Sequence, residues 1–167
     1  MSFWTFDDVF EETGVVQDPF HGGFGLIAAG GIRKPSYNAF ALLHKLGHER
    51  LANFAASVLV TRREDGTLAV AVWNLVDPDR KGTPRFIHLE VRGLSGSRRA
   101  VITRVDAAHG NTLAAYAATG KPRYPTPAQI AELNEAAEPA AQIVSLNHNS
   151  LDLEIPVNGL ALLEVAQ

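Results

Sequence analysis

Between residues 57 and 165 the chain repeats one pattern, in which short runs of alternating apolar residues are separated by turn-forming residues. Successive side chains of a strand point to opposite faces, so each run predicts one strand of a half-buried sheet. The runs lie at 58–61, 68–72, 86–92, 100–105, 143–146, 151–155 and 160–165. Glu64-Asp65-Gly66 supplies a hairpin turn between the first two. About seven short strands with frequent turns predict a mainly β fold, an antiparallel β-sandwich.

A long stretch between the fourth and fifth runs, residues 107–140, is too long for an ordinary sandwich loop. Asn111 can cap a short Ala-rich turn that runs through Ala118 to Gly120. Thr126-Pro127-Ala128-Gln129 matches a capping box with proline at the first helical position. The apolar stripe of the helix that begins there is Ile130, Leu133 and Ala137. We therefore expect a short helical excursion from the sandwich.

The first 47 residues follow a different pattern. Residues 1–35 are rich in glycine and aromatic residues, and the apolar run from Phe3 to Phe6 is short enough for a buried strand. Ser36 can cap a helix, and Gly47 is a natural left-handed terminator after it. Helical spacing relates Phe40, Leu43 and Leu46, which predicts that they form the buried face. The pattern of residues 1–47 therefore predicts a strand, a loop and a helix, in that order.

Composition excludes several classes of protein. The 167 residues suffice for one globular core but not for eight complete β/α units, which take about 250 residues. The formal charge of -3 is scattered, which disfavours nucleic acid as a partner. Without cysteine the chain has no disulfide and no thiolate metal site. No apolar run approaches the roughly 18 residues of a membrane span, so we expect no membrane association. The cytoplasm is the favoured compartment, and any export signal would lie before residue 1.

The opening residues carry a family resemblance. The segments are Ser2-Phe3-Trp4-Thr5-Phe6, Asp7 to Glu12, Pro19-Phe20-His21-Gly22-Gly23-Phe24-Gly25-Leu26, Gly31 to Ser36 and Tyr37 to Gly47. They resemble the eighth strand, loop and eighth helix of the (β/α)8 barrel of glycoside hydrolase family 39, the bacterial β-xylosidases. The resemblance is strong over residues 2–47 and weaker from there to Gln167. It implies that residues 1–47 are the final β/α unit of a glycosidase barrel and residues 48–167 an accessory β-sandwich domain.

The resemblance also bears on the chemistry of the chain. A retaining glycosidase needs two carboxyl groups roughly 5 Å apart. In family 39 they lie on the fourth and seventh barrel strands, which align before residue 1, so no catalytic residue is expected in this chain. The resemblance implies that Trp4 lines the sugar subsite, where an indole stacks on a pyranose. It likewise implies that Glu11 and Glu12 bind substrate hydroxyls and that His21 lies on the same loop.

Each of these candidates also has a structural interpretation. Trp4 can be a packing residue, and Glu11 with Glu12 a solvated pair. The two glutamates are unsuited to be an acid and nucleophile pair, because neighbours in sequence cannot easily flank a sugar from opposite faces. We expect neither a metal nor a cofactor. His44 and His48 are four residues apart, but Gly47 interrupts the helix between them and no carboxylate has a matching spacing.

Aromatic residues outside the opening segment remain open to two interpretations. Trp73 is out of phase with Leu68, Val70 and Val72, which predicts a place on the other face of its sheet. There it could contact the barrel or be a half-buried sheet aromatic. Tyr116 and Tyr124, near Lys121 and Arg123, suit a carbohydrate platform, a subunit contact or packing against the sandwich.

Two functions follow. The first is the C-terminal part of a retaining β-xylosidase, which supplies the rim of the substrate subsite and a structural domain but not the catalytic carboxyl pair. Its ligand would be xylose or a xylo-oligosaccharide once the chain is joined to the rest of the barrel. The alternative is a non-catalytic β-sandwich module that binds carbohydrate or a partner chain. Either way, the apolar surface of the helix at 36–46 favours a homo-oligomer or docking onto an N-terminal barrel portion.

Overall fold

The computed structural model describes residues 4–8, 18–53, 55–93 and 98–166. The helices are α1 Pro35–Leu43, α2 Leu113–Ala118 and α3 Pro127–Ala136. The strands are β1 Ile27–Ala28, β2 Ile32–Arg33, β3 Glu49–Leu51, β4 Val58–Arg62, β5 Leu68–Asn74, β6 Arg85–Glu90, β7 Arg98–Val105, β8 Ala141–Leu146, β9 Ser150–Ile155 and β10 Gly159–Val165. The seven predicted runs correspond to β4–β10, so the mainly β prediction is confirmed.

The strands of the sandwich form two antiparallel sheets. One has six strands in the order β3-β4-β5-β10-β7-β8, and the other is the pair β6-β9. The two sheets enclose one apolar core. Buried residues of that core include Val70, Val72, Ile102, Leu163 and Val165 from the large sheet and Leu153 and Ile155 from β9. The short edge strand β3 is the one member that the alternation pattern does not predict.

The second face of the large sheet is covered by α1. Ala69 and Ala71 on β5, with Leu162 on β10, pack against Leu42 of the helix. These side chains alternate along each strand with those of the sandwich core, as the period of two requires. The centre of the large sheet is therefore buried on both faces, between the β6-β9 pair on one side and α1 on the other.

Helix α1 differs from its prediction at both ends and in its buried face. It begins at Pro35 with Lys34 as the N-cap, so Ser36 lies inside the first turn instead of capping it. Phe40 and Leu43 are each 38% exposed, whereas Asn38 and Leu42 are buried. The reason is that α1 packs on two partners. Leu42 contacts the sheet, while the Asn38 amide donates to carbonyl oxygens of the excursion, and a polar side chain can be buried when it is so satisfied.

The structure requires glycine at position 47 for a different reason from the one predicted. Gly47 is not among the residues with positive φ, so it does not end the helix in a left-handed conformation. Instead its backbone lies against that of Arg62 on β4, where a Cβ atom would overlap the Arg62 carbonyl. Its N–H donates to the Thr61 hydroxyl at 2.8 Å. Glycine is required here for close approach of two segments.

The excursion contains two helices, α3 after the predicted capping box and α2 within the predicted Ala-rich turn. The capping box of α3 is formed by Thr126 and Gln129, and Leu133 and Ala137 are fully buried, which confirms that prediction. At α2 the N-cap is Thr112, whereas Asn111 accepts a hydrogen bond from the Leu113 N–H at 3.0 Å. The helices do not pack on the sandwich core. They pack on the β1-β2 hairpin, in a separate apolar cluster.

The opening apolar run does not form the buried strand that was predicted. Phe3 lies outside the described residues. In residues 4–8, Asp7 forms an isolated parallel bridge with Ile27, and Trp4 and Phe6 are exposed. A barrel strand is buried by strands on both sides, whereas the backbone hydrogen bonds of this segment within the described residues join it to Leu26 and Ile27 alone. The domain boundary between residues 47 and 48 stays a prediction.

Candidate functional site

A buried carboxylate, that of Asp8, fixes the loop at residues 18–26, which we call the rim loop. The Gly25 N–H donates to Asp8 Oδ1 at 2.6 Å, and the Lys34 ammonium contacts Oδ2. His21 Nε2 lies 3.6 Å from the same oxygen. Lys34 Nζ also donates to the Gly23 carbonyl at 3.0 Å. A buried charge is tolerated when it is paired and hydrogen-bonded, so this set holds the loop to the opening segment.

Backbone hydrogen bonds place the opening segment beside the end of the rim loop. The Leu26 N–H contacts the carbonyls of Thr5 and Phe6 at 3.2 and 3.1 Å, and the Asp8 N–H donates to Ile27 at 3.0 Å. Gly25 is required at this contact, because a Cβ atom there would overlap the Asp8 side chain and backbone. Trp4, one residue before Thr5, therefore lies at the same end of the molecule as the rim loop.

The excursion holds the β1-β2 hairpin, which follows the rim loop in the chain. Arg33 Nη1 forms an ion pair with Glu138 at 2.7 Å, and the Arg33 N–H donates to Asn134 Oδ1 at 3.0 Å. The Asn134 amide in turn donates to the Gly31 carbonyl at 3.0 Å. Asn38 Nδ2 completes the contact from α1, donating to Gly110 and Ala137 at 2.9 and 2.6 Å. The excursion, α1 and the β1-β2 hairpin thus form one connected unit.

An apolar cluster lies under these polar contacts. The centres of the Phe20 and Tyr116 rings are 4.9 Å apart. Ala28, Ile32 and Leu133 are the other buried residues of this cluster. Burial raises the pKa of Tyr116, and the negative charge of Asp18 raises it further. The neutral phenol is therefore the favoured form, and its hydroxyl donates to the Pro122 carbonyl at 3.1 Å.

Comparison with known proteins decides the family. The model of the glycosyl hydrolases of family 39 matches residues 1–151. The chain belongs to glycosyl hydrolase family 39. It is 34% identical over 173 residues to a β-xylosidase of Geobacillus stearothermophilus, covering 99% of this chain and 33% of that protein. It is 32% identical over 166 residues to a β-xylosidase of Caldicellulosiruptor saccharolyticus, covering 93% of this chain and 34% of that protein.

A solved β-xylosidase structure has the same fold over this part of its chain. The crystal structure of a monomeric β-xylosidase from Caulobacter crescentus CB15 superimposes with a TM-score of 0.82 at 27% identity, covering 99% of this chain and 37% of that chain. The chain thus spans about a third of the length of the relatives that it matches. It corresponds to the C-terminal part of a family 39 β-xylosidase.

The residues that the family resemblance marks fall into two groups. Trp4 is 84% exposed and His21 is on the rim loop held by Asp8, so the fold brings both to one end of the molecule. Glu11 and Glu12 lie outside the described residues, and their predicted role stays a prediction. The roles of Trp4 and His21 in binding also stay predictions.

Sequence reasoning did not single out two residues of this site. Asp8 is fully buried, although aspartate is typically exposed, and no local pattern marks it. Phe24 is 69% exposed on the rim loop. The sequence does contain a signal for the exposure of Phe24. The residue lies between two glycines in a loop, and glycines have no side chains that could cover its ring. In this family 39 chain Trp4 and Phe24 together make one end of the molecule aromatic.

An apolar groove lies between α1 and the large sheet, away from this site. It encloses about 440 Å³ and is lined by Ala39, Leu43, Leu59, Trp73, Leu75 and Leu160, with Asn158 and Gly159 at one end. We call it the helix groove. Trp73 lies on this face, opposite the sandwich core, as its phase predicts. Leu75, at 78% exposure, extends the apolar surface outward.

The histidines do not assemble a metal centre in the described part of the chain, where no group of three or more His, Cys, Asp or Glu side chains is placed to hold an ion. His44 and His48 line an open cleft with Glu64 and Asp65. Polar contacts among its lining residues include the ion pair of Arg63 with Glu164 at 2.7 Å and the hydrogen bond from Arg63 Nε to the Lys45 carbonyl at 2.7 Å. Among the described residues, no helix is long and apolar enough to span a membrane.

Proposed function

We propose that this chain is part of a retaining β-xylosidase that hydrolyses xylo-oligosaccharides, and that it contributes the rim of the sugar subsite together with the accessory sandwich. The observation that carries the proposal is the rim loop. Asp8, Gly25 and Lys34 hold it so that exposed Trp4 and Phe24, with His21, lie at one end of the molecule. The names of the matched relatives supply the sugar and the reaction.

The chemistry of these side chains suits a rim. An exposed indole offers a flat apolar face to the C–H face of a pyranose, while His21 offers ring nitrogens to hydroxyl groups. Glu11 and Glu12 would add charged acceptors for further hydroxyls. Cleavage with retention needs two carboxyl groups on opposite sides of the glycosidic bond. We place that pair in a portion of the enzyme that this chain does not contain.

An assay with an aryl β-xyloside tests the proposal. The purified 167-residue chain should give no turnover above background, because the acid/base and the nucleophile are missing. Turnover that is lost in Glu11→Gln or Glu12→Gln would contradict this, since it would place catalytic carboxyls in the chain. Calorimetric titration of xylose into the chain joined to an N-terminal barrel portion adds a direct test of the rim. We expect heat of binding that Trp4→Ala removes, and no heat even at high sugar concentration would argue against a rim role.

We further propose that the helix groove docks the barrel portion of such an enzyme. Its lining is apolar on both walls, and exposed apolar patches of this kind mark sites of protein contact. Mixing the chain with the N-terminal barrel portion of the Caulobacter crescentus β-xylosidase should form a complex. Leu75→Lys should abolish it, whereas Phe86→Lys, on the outer face of β6, should leave it intact. Equal binding by both variants would exclude the groove as the contact, and self-association that Leu75→Lys abolishes would favour a homodimer.

A further inference from the structure

The segment between α2 and α3 presents one aromatic side chain to solvent on a fixed backbone. Tyr124 is 76% exposed. Two residues before it, the Pro122 carbonyl accepts the hydrogen bond of the buried Tyr116 hydroxyl. Two residues after it, Thr126 begins the capping box of α3, with its N–H donating to Gln129 Oε1 at 2.9 Å. Pro122 and Pro125 restrict the backbone of the segment between these two anchors, because the proline ring fixes φ. The ring is thus held outward by anchors on both sides.

This ring forms one wall of a cleft. The cleft has a volume of about 260 Å³ and lies between the segment and the rim loop with its hairpin turn. Its lining is Asp18, Pro19, Ala29 and Gly30 on one side and Arg123, Tyr124, Pro125 and Ile130 on the other. We call it the Tyr124 cleft. The Arg123 guanidinium lies 5.3 Å from the centre of the Tyr124 ring, a distance typical of a cation–π contact.

Both walls are preorganised. The rim-loop side is fixed by Asp8 and Lys34 and by the tilted contact of the Phe20 ring with the Tyr116 ring. The opposite side is fixed by the capping box and by Ile130, which packs on the buried cluster around Leu133. A site whose walls need not be ordered on binding loses less affinity to conformational entropy. Such rigidity distinguishes the cleft from an exposed tyrosine on a mobile loop.

The chemistry of the lining selects a class of ligand. Asp18 and Arg123 carry opposite charges, so the cleft disfavours a strongly anionic or cationic guest. Carboxylate and guanidinium groups bind hydroxyls by charge-assisted hydrogen bonds, and a tyrosine ring offers an apolar face with a polar tip. A few polar groups beside an apolar surface are typical of small-ligand sites. A neutral ring compound with several hydroxyls matches this combination of an apolar face and charged groups of both signs.

We propose that the Tyr124 cleft is a second carbohydrate subsite, which binds one sugar unit of a neutral pyranose oligosaccharide, separate from the rim at Trp4 and His21. The assignment of xylose as that unit rests on the proposed function. The cleft shares the rim loop with His21, which would place a bound sugar on the same side of the molecule as the rim. The excursion then has a binding role in addition to its support of the β1-β2 hairpin.

Backbone amide shifts in a ¹H–¹⁵N spectrum of the full chain, recorded during titration with xylotriose, test the proposal. The amides of Ala29, Gly30 and Tyr124 should move in a saturable way. Tyr124→Ala should weaken this binding at least fivefold without lowering the unfolding midpoint, while Tyr124→Phe, which keeps the ring, should retain most of it. Phe86→Ala removes an aromatic of the same 76% exposure on β6 and should have no effect.

The outcomes separate the two proposals. If the amides of His21 and Gly22 move while those of Ala29, Gly30 and Tyr124 stay fixed, the second subsite is wrong and the rim stands. If the cleft amides still move in Trp4→Ala, whose rim no longer responds, the second subsite is supported independently of the rim. Tighter binding of a sulfated than of a neutral oligosaccharide, or an equal loss in Tyr124→Ala and Phe86→Ala, would overturn the inference.

Discussion

The carboxylate of Asp8 makes two contacts that a neutral amide would weaken, one with the Gly25 N–H and one with the Lys34 ammonium. Asp8→Asn should lower the free energy of unfolding by about 3 kcal/mol, because it leaves Lys34, which is itself nearly buried, without its counter-charge. Urea unfolding measures the change. Asp152→Asn is the matched control, since Asp152 pairs with His88 at the surface and should cost well under 1 kcal/mol. Equal effects of the two variants would contradict the assigned role of Asp8.

Tyr116 makes the stability of the folded chain depend on pH in the alkaline range. Its pKa is raised from the ordinary value of 10 by burial and by Asp18. Above that value the unfolded chain loses the phenol proton while the folded chain retains it, so stability falls as pH rises through 10 towards the folded pKa. Tyr116→Phe should remove this slope from unfolding curves recorded at a series of alkaline pH values, and Tyr124→Phe should leave it. A slope that persists in Tyr116→Phe would assign the effect to another group.

At the scale of elements, α3 determines whether the β1-β2 hairpin keeps its place. Leu133 is fully buried against Ala28 and Ile32 of the β1-β2 hairpin. Leu133→Ala should cost about 3 kcal/mol and should speed hydrogen exchange at the amides of Gly31 and Lys34 before those of β5. Leu113→Ala, at a half-exposed site on α2, is the control and should change neither. Unchanged exchange at Gly31 would mean that the hairpin does not depend on the excursion.

The elements also show what local pattern can and cannot predict. The period of two located β4–β10, and the Thr126–Gln129 capping box located α3, because both signals lie within a few adjacent residues. The buried face of α1 could not be predicted in this way. Asn38 is buried because its partners are the carbonyls of Gly110 and Ala137, about 70 and 100 residues away. No local spacing encodes such a contact, and the same holds for Asp8 with Gly25 and Lys34.

At the scale of the whole molecule, β10 contributes to two apolar layers, the sandwich core on one face of the large sheet and the contact with α1 on the other. Leu162 and Leu163 are adjacent and both fully buried, but the first packs towards α1 and the second into the sandwich core. If the layers unfold together, Leu162→Ala and Leu163→Ala should each cost about 3 kcal/mol and keep a single transition. Trp73 fluorescence in a Trp4→Phe background reports the α1 side, and far-ultraviolet circular dichroism reports the sheets. Transitions that separate in Leu162→Ala alone would show that α1 unfolds independently.

The amide of Asn38 has a further consequence for protein engineering. It joins α1 to both ends of the excursion, while Leu42, one turn later on the same helix, joins α1 to the sheet. A chimaera that grafts this sandwich onto another enzyme and is cut at residue 47 would sever those attachments and expose the face that they cover. A junction placed before residue 18 keeps them. The transplantable unit is therefore longer than the sandwich and includes the helix that covers it.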